Sequence, residues 1–216
     1  MSSISVAGDV SGAISIAAPS AAGSGVLTLP TGTDTLVGKA TTDTLTNKSI
    51  AATQLTGTIA ASRLPAGSVL QVVNSLISAT GSTTTLIPFD NTIPQITEGA
   101  QFLTLAITPI SATSKLMISV VLNASTPTAA QNFITALFQG STANALAANN
   151  ATVSGGNAFI LQTLFYFMTS GTTSSTTFTV RAGLQSAGTL NINQNASGSY
   201  FGGTLYSSIT ITEIAA

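Results

Sequence analysis

Apolar and polar residues alternate along several short runs after residue 67, with the period of two that half-buried β-strands show. The alternation covers residues 102–108, 115–122, 177–184 and 206–214. Turn-forming residues such as Pro127, Gly140 and Gly171 separate the runs. About eight strands in roughly 150 residues is the number found in β-sandwiches of the jelly-roll type. The pattern therefore predicts an all-β fold, with a jelly-roll-like β-sandwich knob over residues 68–216.

Three further runs, 69–77, 133–138 and 158–168, are apolar on both faces. A strand with two apolar faces is buried on both sides. We therefore expect these strands to lie between sheets or at a contact between subunits. No helical period is sustained and no heptad repeat appears, which excludes a coiled-coil stalk.

Residues 1–67 differ in composition from the rest of the chain. They are rich in Ala, Ser, Thr and Gly, contain no aromatic residue and hold six of the eleven charged residues. Without aromatic side chains or a sustained period, such a segment cannot readily form a core of its own. We therefore predict an extended N-terminal arm over residues 1–67 that packs against sister subunits or a larger particle.

Charged residues make up only 5% of the chain, against about 25% in ordinary soluble domains. The net charge of −1 gives little repulsion between copies, and surfaces near neutrality tend to associate. Composition thus favours a protein that works in an assembly. The five Lys and Arg residues are scattered, which argues against nucleic acid as a partner. The most apolar run is too short to span a membrane.

Histidine and cysteine are absent, which removes the commonest general base and the usual nucleophile and metal-ligand arrangements. No spacing typical of a calcium or phosphate loop is present. We therefore expect no catalytic residue, no cofactor and no metal. A carboxylate pair, as in glycosidases, has one candidate in the knob, Asp90 with Glu98. These two either share a cleft or, as we favour, solvate the turn-rich residues 91–97.

Two charged residues, Arg181 and Glu213, lie inside predicted strands. In the favoured interpretation they face solvent and limit the pairing of strand edges. In the alternative they form an ion pair, either between adjacent strands or across a subunit interface. Removing one partner of such a buried pair would cost about 3–5 kcal/mol.

Four aromatic residues, Tyr166, Tyr200, Phe201 and Tyr206, are candidates for a ligand or interface contact. Exposed rings can stack on carbohydrate. Consecutive aromatic residues on a strand point to opposite faces, however, so some rings near Tyr166 belong to the core. Packing in the core or at a subunit interface is the favoured interpretation, and a Tyr hydroxyl buried there would need a hydrogen-bond partner.

Four stretches of the sequence carry a resemblance to a known group of proteins. They are TLTNKSI at Thr44–Ile50, LTGTIAASRLPAGSVL at Leu55–Leu70, ITPISATSKL at Ile107–Leu116 and FGGTLYSSITITEIAA at Phe201–Ala216. Together they resemble the short tail-fibre, head-fibre and cement-like decoration proteins of bacteriophages. The resemblance implies a homotrimer, with an N-terminal arm that attaches to the virion and a β-sandwich knob that faces outward.

The leading hypothesis is a non-enzymatic structural protein of the exterior surface of a bacteriophage virion. Its homotrimer would be anchored through the arm to major capsid or tail proteins, as a head fibre, cement or decoration protein. The alternative is a short tail fibre whose knob recognises a host surface glycan or protein. Exposed aromatic and Asn or Gln side chains clustered on the knob would favour recognition. A depolymerase is the weakest candidate, because acidic residues are few.

Overall fold

A computed structural model describes residues 3–7, 13–17, 49–51, 53, 56–57, 59–153 and 156–216. The chain divides into two compact units, Met1–Thr56 and Gly57–Ala216. In the first unit, strands β1 (Ser3–Ala7) and β2 (Ala13–Ala17) pair antiparallel. Most of the predicted arm lies outside the described residues, and its predicted end at residue 67 falls within the second unit.

The second unit is built from ten strands, and every described pairing between them is antiparallel. The strands are β3 (Val69–Ile77), β4 (Gly81–Thr83), β5 (Ala100–Ile107), β6 (Lys115–Ser125), β7 (Gln131–Gln139), β8 (Ala147–Val153), β9 (Phe159–Thr169), β10 (Thr176–Leu184), β11 (Leu190–Ile192) and β12 (Ser207–Ile214). Among the described residues, Ala61–Arg63 forms a single turn of 3-10 helix, and Phe201–Gly203 forms a tight turn in which every φ is positive. The predicted all-β, jelly-roll-like sandwich is confirmed.

The ten strands form two sheets. The smaller sheet has the order β5–β10–β7–β8. The larger one is organised around β6, which pairs with β12 and β11 along one edge and with β9 along the other. Strands β3 and β4 extend this six-stranded sheet by pairing with β12 and β11, respectively.

The main core lies between the two sheets and follows from the alternation on each strand. Strand β6 points every second residue inward, from Leu116 to Leu122, and all of these side chains are buried. They share one apolar cluster with Phe133 on β7, Phe178 on β10 and Ile211 on β12. Burying a side chain of this size stabilises the fold by about 1.5–3 kcal/mol, so the alternation itself holds the sheets together.

A second, smaller core lies on the opposite side of the four-stranded sheet. The segment 84–99, which we call the β4–β5 loop, crosses this side and places Ile87 against Ile134, Ala136 and Phe138 of β7. The Ile87 amide donates to the Leu184 carbonyl at 3.1 Å, which ties the loop to β10. Strand β7 is therefore buried on both faces, as its two-sided apolar sequence predicts.

Glycine is required where the β4–β5 loop crosses β10. A Cβ atom on Gly183 would lie 2.6 Å from the Thr85 carbonyl oxygen, closer than real contacts allow. Gly99 has a φ of +60°, and a Cβ there would lie 2.8 Å from the Ala182 carbonyl oxygen. The loop can lie this close to the sheet only because neither residue has a side chain.

Strands β3 and β9 keep one face exposed within the chain, although their sequences are apolar on both faces. The exposed residues are Val72 and Leu76 on β3, and Leu161, Phe165 and Phe167 on β9. The prediction that both faces are buried between sheets is therefore wrong for β3 and β9. Their burial at a contact between subunits stays a prediction.

One polar pair interrupts the main core and yields a test of its packing. Thr135 on β7 donates from Oγ1 to Oε1 of Gln162 on β9 at 2.5 Å. Gln162 is 4% exposed, and its Nε2 has no partner among the described residues. Removing one member of a buried pair leaves the other without a partner, at a cost of about 1–3 kcal/mol, whereas apolar replacement of both can be neutral or stabilising.

We therefore expect Thr135→Val alone to lower the free energy of unfolding by about 1–3 kcal/mol. The double variant Thr135→Val/Gln162→Met should restore it to the wild-type value or above. Denaturant unfolding of the three proteins measures the difference. A double variant that is less stable than Thr135→Val would contradict this account of the pair.

Candidate functional site

The outward side of the six-stranded sheet carries an apolar surface, which we call the outer face. Six of the large apolar side chains exposed on it are Val72 (56%), Leu76 (55%), Met117 (39%), Leu161 (61%), Phe165 (69%) and Phe167 (56%). Monomeric soluble proteins rarely expose apolar patches larger than a few hundred Å² unless the patch binds something. The outer face is therefore the candidate functional site.

The strand register arranges the outer face in rows. One row runs from Val72 on β3 through Thr212 and Met117 to Phe167 on β9. In the next, Thr210 and Ser119 lie between Asn74 and Phe165. Smaller side chains on β12 and β6, most of them hydroxyl-bearing but including Met117 and Val121, thus lie between larger ones on β3 and β9. We call the former the valley and the latter its walls.

The β9 wall continues into a group of three aromatic rings. Phe159 begins β9 and, like Leu161, points outward. Its ring meets that of Tyr200 edge to face, with centroids 5.5 Å apart and an interplanar angle of 81°. Tyr200 in turn lies 6.5 Å from Phe201, at 60°. Such tilted arrangements are favourable between aromatic rings, so the three rings form one exposed cluster.

Phe201 is held in a conformation that bulky residues rarely adopt. Its φ is 51°, in the left-handed region, and its side chain is 74% exposed. A left-handed conformation costs a residue with a Cβ roughly 1–2 kcal/mol. Because the ring gains little from burial in this chain, its presentation to solvent is unexplained by the fold alone. A contact with another molecule would explain it.

The four predicted aromatic residues divide into two groups. Tyr166 points inward from β9 and packs against the main core. Tyr200, Phe201 and Tyr206 are exposed by 41%, 74% and 47%. Asn123 donates from Nδ2 to the Tyr206 carbonyl at 2.5 Å, which fixes the backbone at that residue. The structure therefore separates Tyr166 from the other three, whose role in ligand or interface contact stays a prediction.

Arg181 lies on β10 and fastens the end of the β4–β5 loop. Its guanidinium donates to the carbonyl oxygens of Glu98 and Gly99, each at 2.8 Å. A guanidinium presents several donors in a fixed plane, which suits it to two neighbouring carbonyl groups. Arg181 thus stabilises the loop against the sheet.

Glu213 is fully buried on β12 and accepts hydrogen bonds from four groups. The donors are Gln71 Nε2 at 2.6 Å, Ser114 Oγ at 2.6 Å and the amides of Ile110 and Ser111 at 2.9 and 3.2 Å. The carboxylate thereby fixes the loop between β5 and β6. The interpretation as a surface charge is wrong for Glu213, since its side chain is 0% exposed.

Arg181 and Glu213 lie in different sheets and have different partners. They therefore do not form the predicted ion pair between adjacent strands of one chain. The physical reason is that each has other partners nearby: loop carbonyl groups for Arg181, and two loop amides with the side chains of Gln71 and Ser114 for Glu213. Carbonyl groups surround the guanidinium, and amide and hydroxyl donors surround the carboxylate. A pair across a subunit interface stays a prediction.

Asp90 and Glu98 each serve the turn to which they belong. Asp90 Oδ1 accepts from the hydroxyl of Thr92 at 2.6 Å and from its amide at 2.7 Å. These bonds hold the pKa of Asp90 below its ordinary value. Glu98 Oε2 accepts from the Gln95 amide at 2.9 Å. This geometry agrees with the favoured interpretation, in which the two carboxylates solvate the turn-rich residues 91–97.

Within the described ranges, no three acidic side chains come together where a metal ion could bind. In the same ranges, no helix is long and apolar enough to cross a membrane.

Sequence reasoning missed the residues that make the outer face a site. Val72, Leu76 and Met117 are not recognisable as site residues from the sequence, because each lies in an ordinary apolar or alternating strand pattern. A signal was present, since strands β3 and β9 are apolar at both odd and even positions. Only the register shows that their outward residues share one surface with Met117.

Comparison with known proteins finds matches among solved structures but none among family models or curated sequences. Among solved structures, dimeric latent PorU from Porphyromonas gingivalis aligns over 70% of this chain and 14% of its own, with 10% identity and a TM-score of 0.36. VP2 of infectious bursal disease virus, in a subviral particle, aligns over 69% of this chain and 39% of its own, with 13% identity and a TM-score of 0.31.

VP2 of the Gx strain of the same virus gives a similar result, at 12% identity and a TM-score of 0.29 over 68% of this chain and 38% of its own. The chain therefore spans less than two fifths of each of these proteins. Likenesses of this size carry no argument about function.

The Glu213 carboxylate leads to a prediction about acid stability. Burial raises its pKa, but the bonds from Ser114, Gln71 and the amides of Ile110 and Ser111 outweigh burial and hold the pKa below the ordinary value of 4.5. A group with a lowered folded pKa stabilises the fold above its unfolded pKa. That stabilisation is lost as the pH falls through the folded value.

We therefore expect Glu213→Gln to lower the free energy of unfolding at pH 7 by about 1.5–3 kcal/mol. The variant should also lose less stability than the wild type between pH 5 and pH 3, a window that brackets the ordinary pKa of 4.5. Asp90→Asn, which removes an exposed carboxylate, is the control and should change stability at pH 7 much less. Denaturant titrations at several pH values measure both effects, and parallel pH curves for wild type and Glu213→Gln would refute the assignment.

Proposed function

We propose that this protein is a non-enzymatic structural component of the exterior surface of a bacteriophage virion, and that it is a homotrimer whose copies meet through the outer face. The observation that carries the proposal is the exposure of Phe165 and Phe167, at 69% and 56%, on a strand that contains no charged residue. Exposing large apolar side chains to water costs free energy. Association of copies lowers that cost by burying the side chains.

The area of the outer face suits a contact between proteins. A fully exposed large apolar residue presents on the order of 150–200 Å², so the six exposed side chains together present roughly 600 Å². Stable interfaces cover about 800 Å² on each partner. In a ring each copy divides this area between two neighbours, so the apolar residues form the centre of each interface, and the hydroxyl groups of the valley provide polar contacts around them.

Charge presents little obstacle to contact between copies. On strands β3, β12, β6 and β9, the single charged residue of the outer face is Lys115, which stands at its end and donates to Thr169 Oγ1 at 2.7 Å. The whole chain has a net charge of −1. Two copies can thus approach without burying an unpaired charge, which would be costly.

The arrangement of walls and valley supports a closed ring. In a head-to-tail contact, the β9 wall of one copy would occupy the valley of the next, and such contacts form rings when the rotation closes. The number three comes from the resemblance to phage fibre and decoration proteins, as does anchoring of residues 1–67 to a major capsid or tail protein. With three arms per trimer, weak individual contacts to the particle act together.

Among the members of that group, we propose a head fibre, cement or decoration protein, because contact between copies through the outer face suits a structural role on the particle. A short tail fibre that recognises the host is the second candidate. It is favoured by an exposed cleft between the β4–β5 loop and β8, which holds the aromatic ring of Phe89 and the side chain of Asn150.

Light scattering of the full-length protein tests the proposed assembly. We expect a particle of three chains of 21.5 kDa each. The double variant Phe165→Ser/Phe167→Ser should dissociate to single chains that stay folded, because both side chains are exposed within the chain, and its unfolding midpoint should no longer depend on protein concentration. Phe89→Ser is the matched control, since Phe89 is 57% exposed but lies on the β4–β5 loop, and it should stay trimeric.

Two results would count against the proposal. A wild-type protein that is monomeric in solution would contradict the proposed homotrimer. A trimer that persists in Phe165→Ser/Phe167→Ser would place the contact elsewhere than on the outer face.

A further inference from the structure

A cleft lies between the β4–β5 loop and strand β8, away from the outer face. Its volume is about 210 Å³. Ile134 and Pro94 form apolar parts of its lining, and Phe89, Asp90 and Asn150 contribute an aromatic ring, a carboxylate and a carboxamide. Phe89 is 57% exposed, so its ring is available to a ligand rather than used by the core.

Hydrogen bonds hold the cleft in shape without a ligand. The Ala145 amide donates to the Pro94 carbonyl at 2.9 Å, and the Ile96 amide donates to the Ala143 carbonyl at 2.8 Å. Gln95 adds a bond from Nε2 to Asn144 Oδ1 at 3.0 Å. The loop is thus fastened to the residues just before β8. A preformed site loses less entropy on binding than one that must first become ordered.

The polar groups of the cleft are oriented, and some keep free hydrogen-bonding capacity. Thr92 holds Asp90 through Oδ1 alone, so the second carboxylate oxygen has no hydrogen bond among the described residues. Asn149 is occupied, since it donates to the Thr163 carbonyl at 3.0 Å and accepts from the Asn150 amide at 2.8 Å. The side-chain carboxamide of Asn150 makes no hydrogen bond within the described part of the chain.

These groups define the chemistry of a ligand. The free oxygen of Asp90 requires a donor, and the Asn150 carboxamide offers both a donor and an acceptor. Hydroxyl groups satisfy both. The ring of Phe89 requires an apolar surface to stack on, which the C–H face of a sugar ring provides. Among the described residues, no Lys or Arg lines the cleft, so an anionic group would meet the Asp90 carboxylate without compensation.

We propose that this cleft binds a neutral saccharide. Its volume lies below the roughly 300–1,000 Å³ of pockets that hold drug-sized ligands, which corresponds to one sugar residue of a longer glycan. Phe89 stacks on the sugar ring, while Asp90 and Asn150 bind its hydroxyl groups. The proposal does not depend on the oligomeric state, but several clefts in one assembly would strengthen binding to a surface that presents many copies of the sugar.

The test is binding of the full-length protein to a printed array of neutral, anionic and aminated oligosaccharides. We expect binding to neutral oligosaccharides and none to anionic ones. Phe89→Ala and Asn150→Ala should each weaken that binding at least ten-fold without changing the unfolding midpoint, because both side chains are exposed. Phe201→Ala is the control, since it removes an exposed ring outside the cleft and should bind as the wild type does.

Three outcomes would overturn the proposal. The first is that no neutral oligosaccharide is bound. The second is binding of aminated oligosaccharides alone, which would make Phe89 and Asp90 a site for cations. The third is binding that Phe201→Ala abolishes and Phe89→Ala does not, which would move the ligand to the aromatic cluster at Phe159, Tyr200 and Phe201.

Discussion

Burial of apolar side chains between the two sheets is the interaction on which the rest of the structure depends. Strand β6 is its centre, because it pairs with three other strands and points Leu116, Ile118, Val120 and Leu122 into the core. The same alternation fixes which side chains point away from the core. A shift of the register by one residue would exchange the two faces, so the core and the outer face are set by one constraint.

A shortage of charge links this core to the proposed assembly. With 5% charged residues, the chain cannot cover its outward strand faces with Lys and Glu, and hydroxyl-bearing and apolar residues occupy them instead. The few charges have structural tasks: Glu213 and Arg181 each fasten a loop to a strand. Most of the side chains that remain exposed on β3 and β9 are apolar, and we explain their exposure by contact between copies.

The sequence predicts the sandwich because period-two alternation is a local property of strands such as 115–122 and 177–184. It also predicts the two-sided burial of β7. It cannot predict that the β4–β5 loop is what covers the second face of β7, because that contact joins residues distant in sequence. For the same reason the partners of Arg181 and Glu213, the inward direction of Tyr166 and the cleft at Phe89 all require the fold. Each depends on which strands become neighbours.

Hydroxyl-radical footprinting of the assembled full-length protein tests the central claim most directly. Within one chain, Phe165 is 69% exposed and Phe89 is 57% exposed, so a single chain in solution would be modified at least as fast at Phe165 as at Phe89. If copies cover the outer face, Phe165 and Phe167 should react several-fold more slowly than Phe89, and dilution to single chains should remove the difference. Equal or faster modification of Phe165 in the assembly would contradict the account.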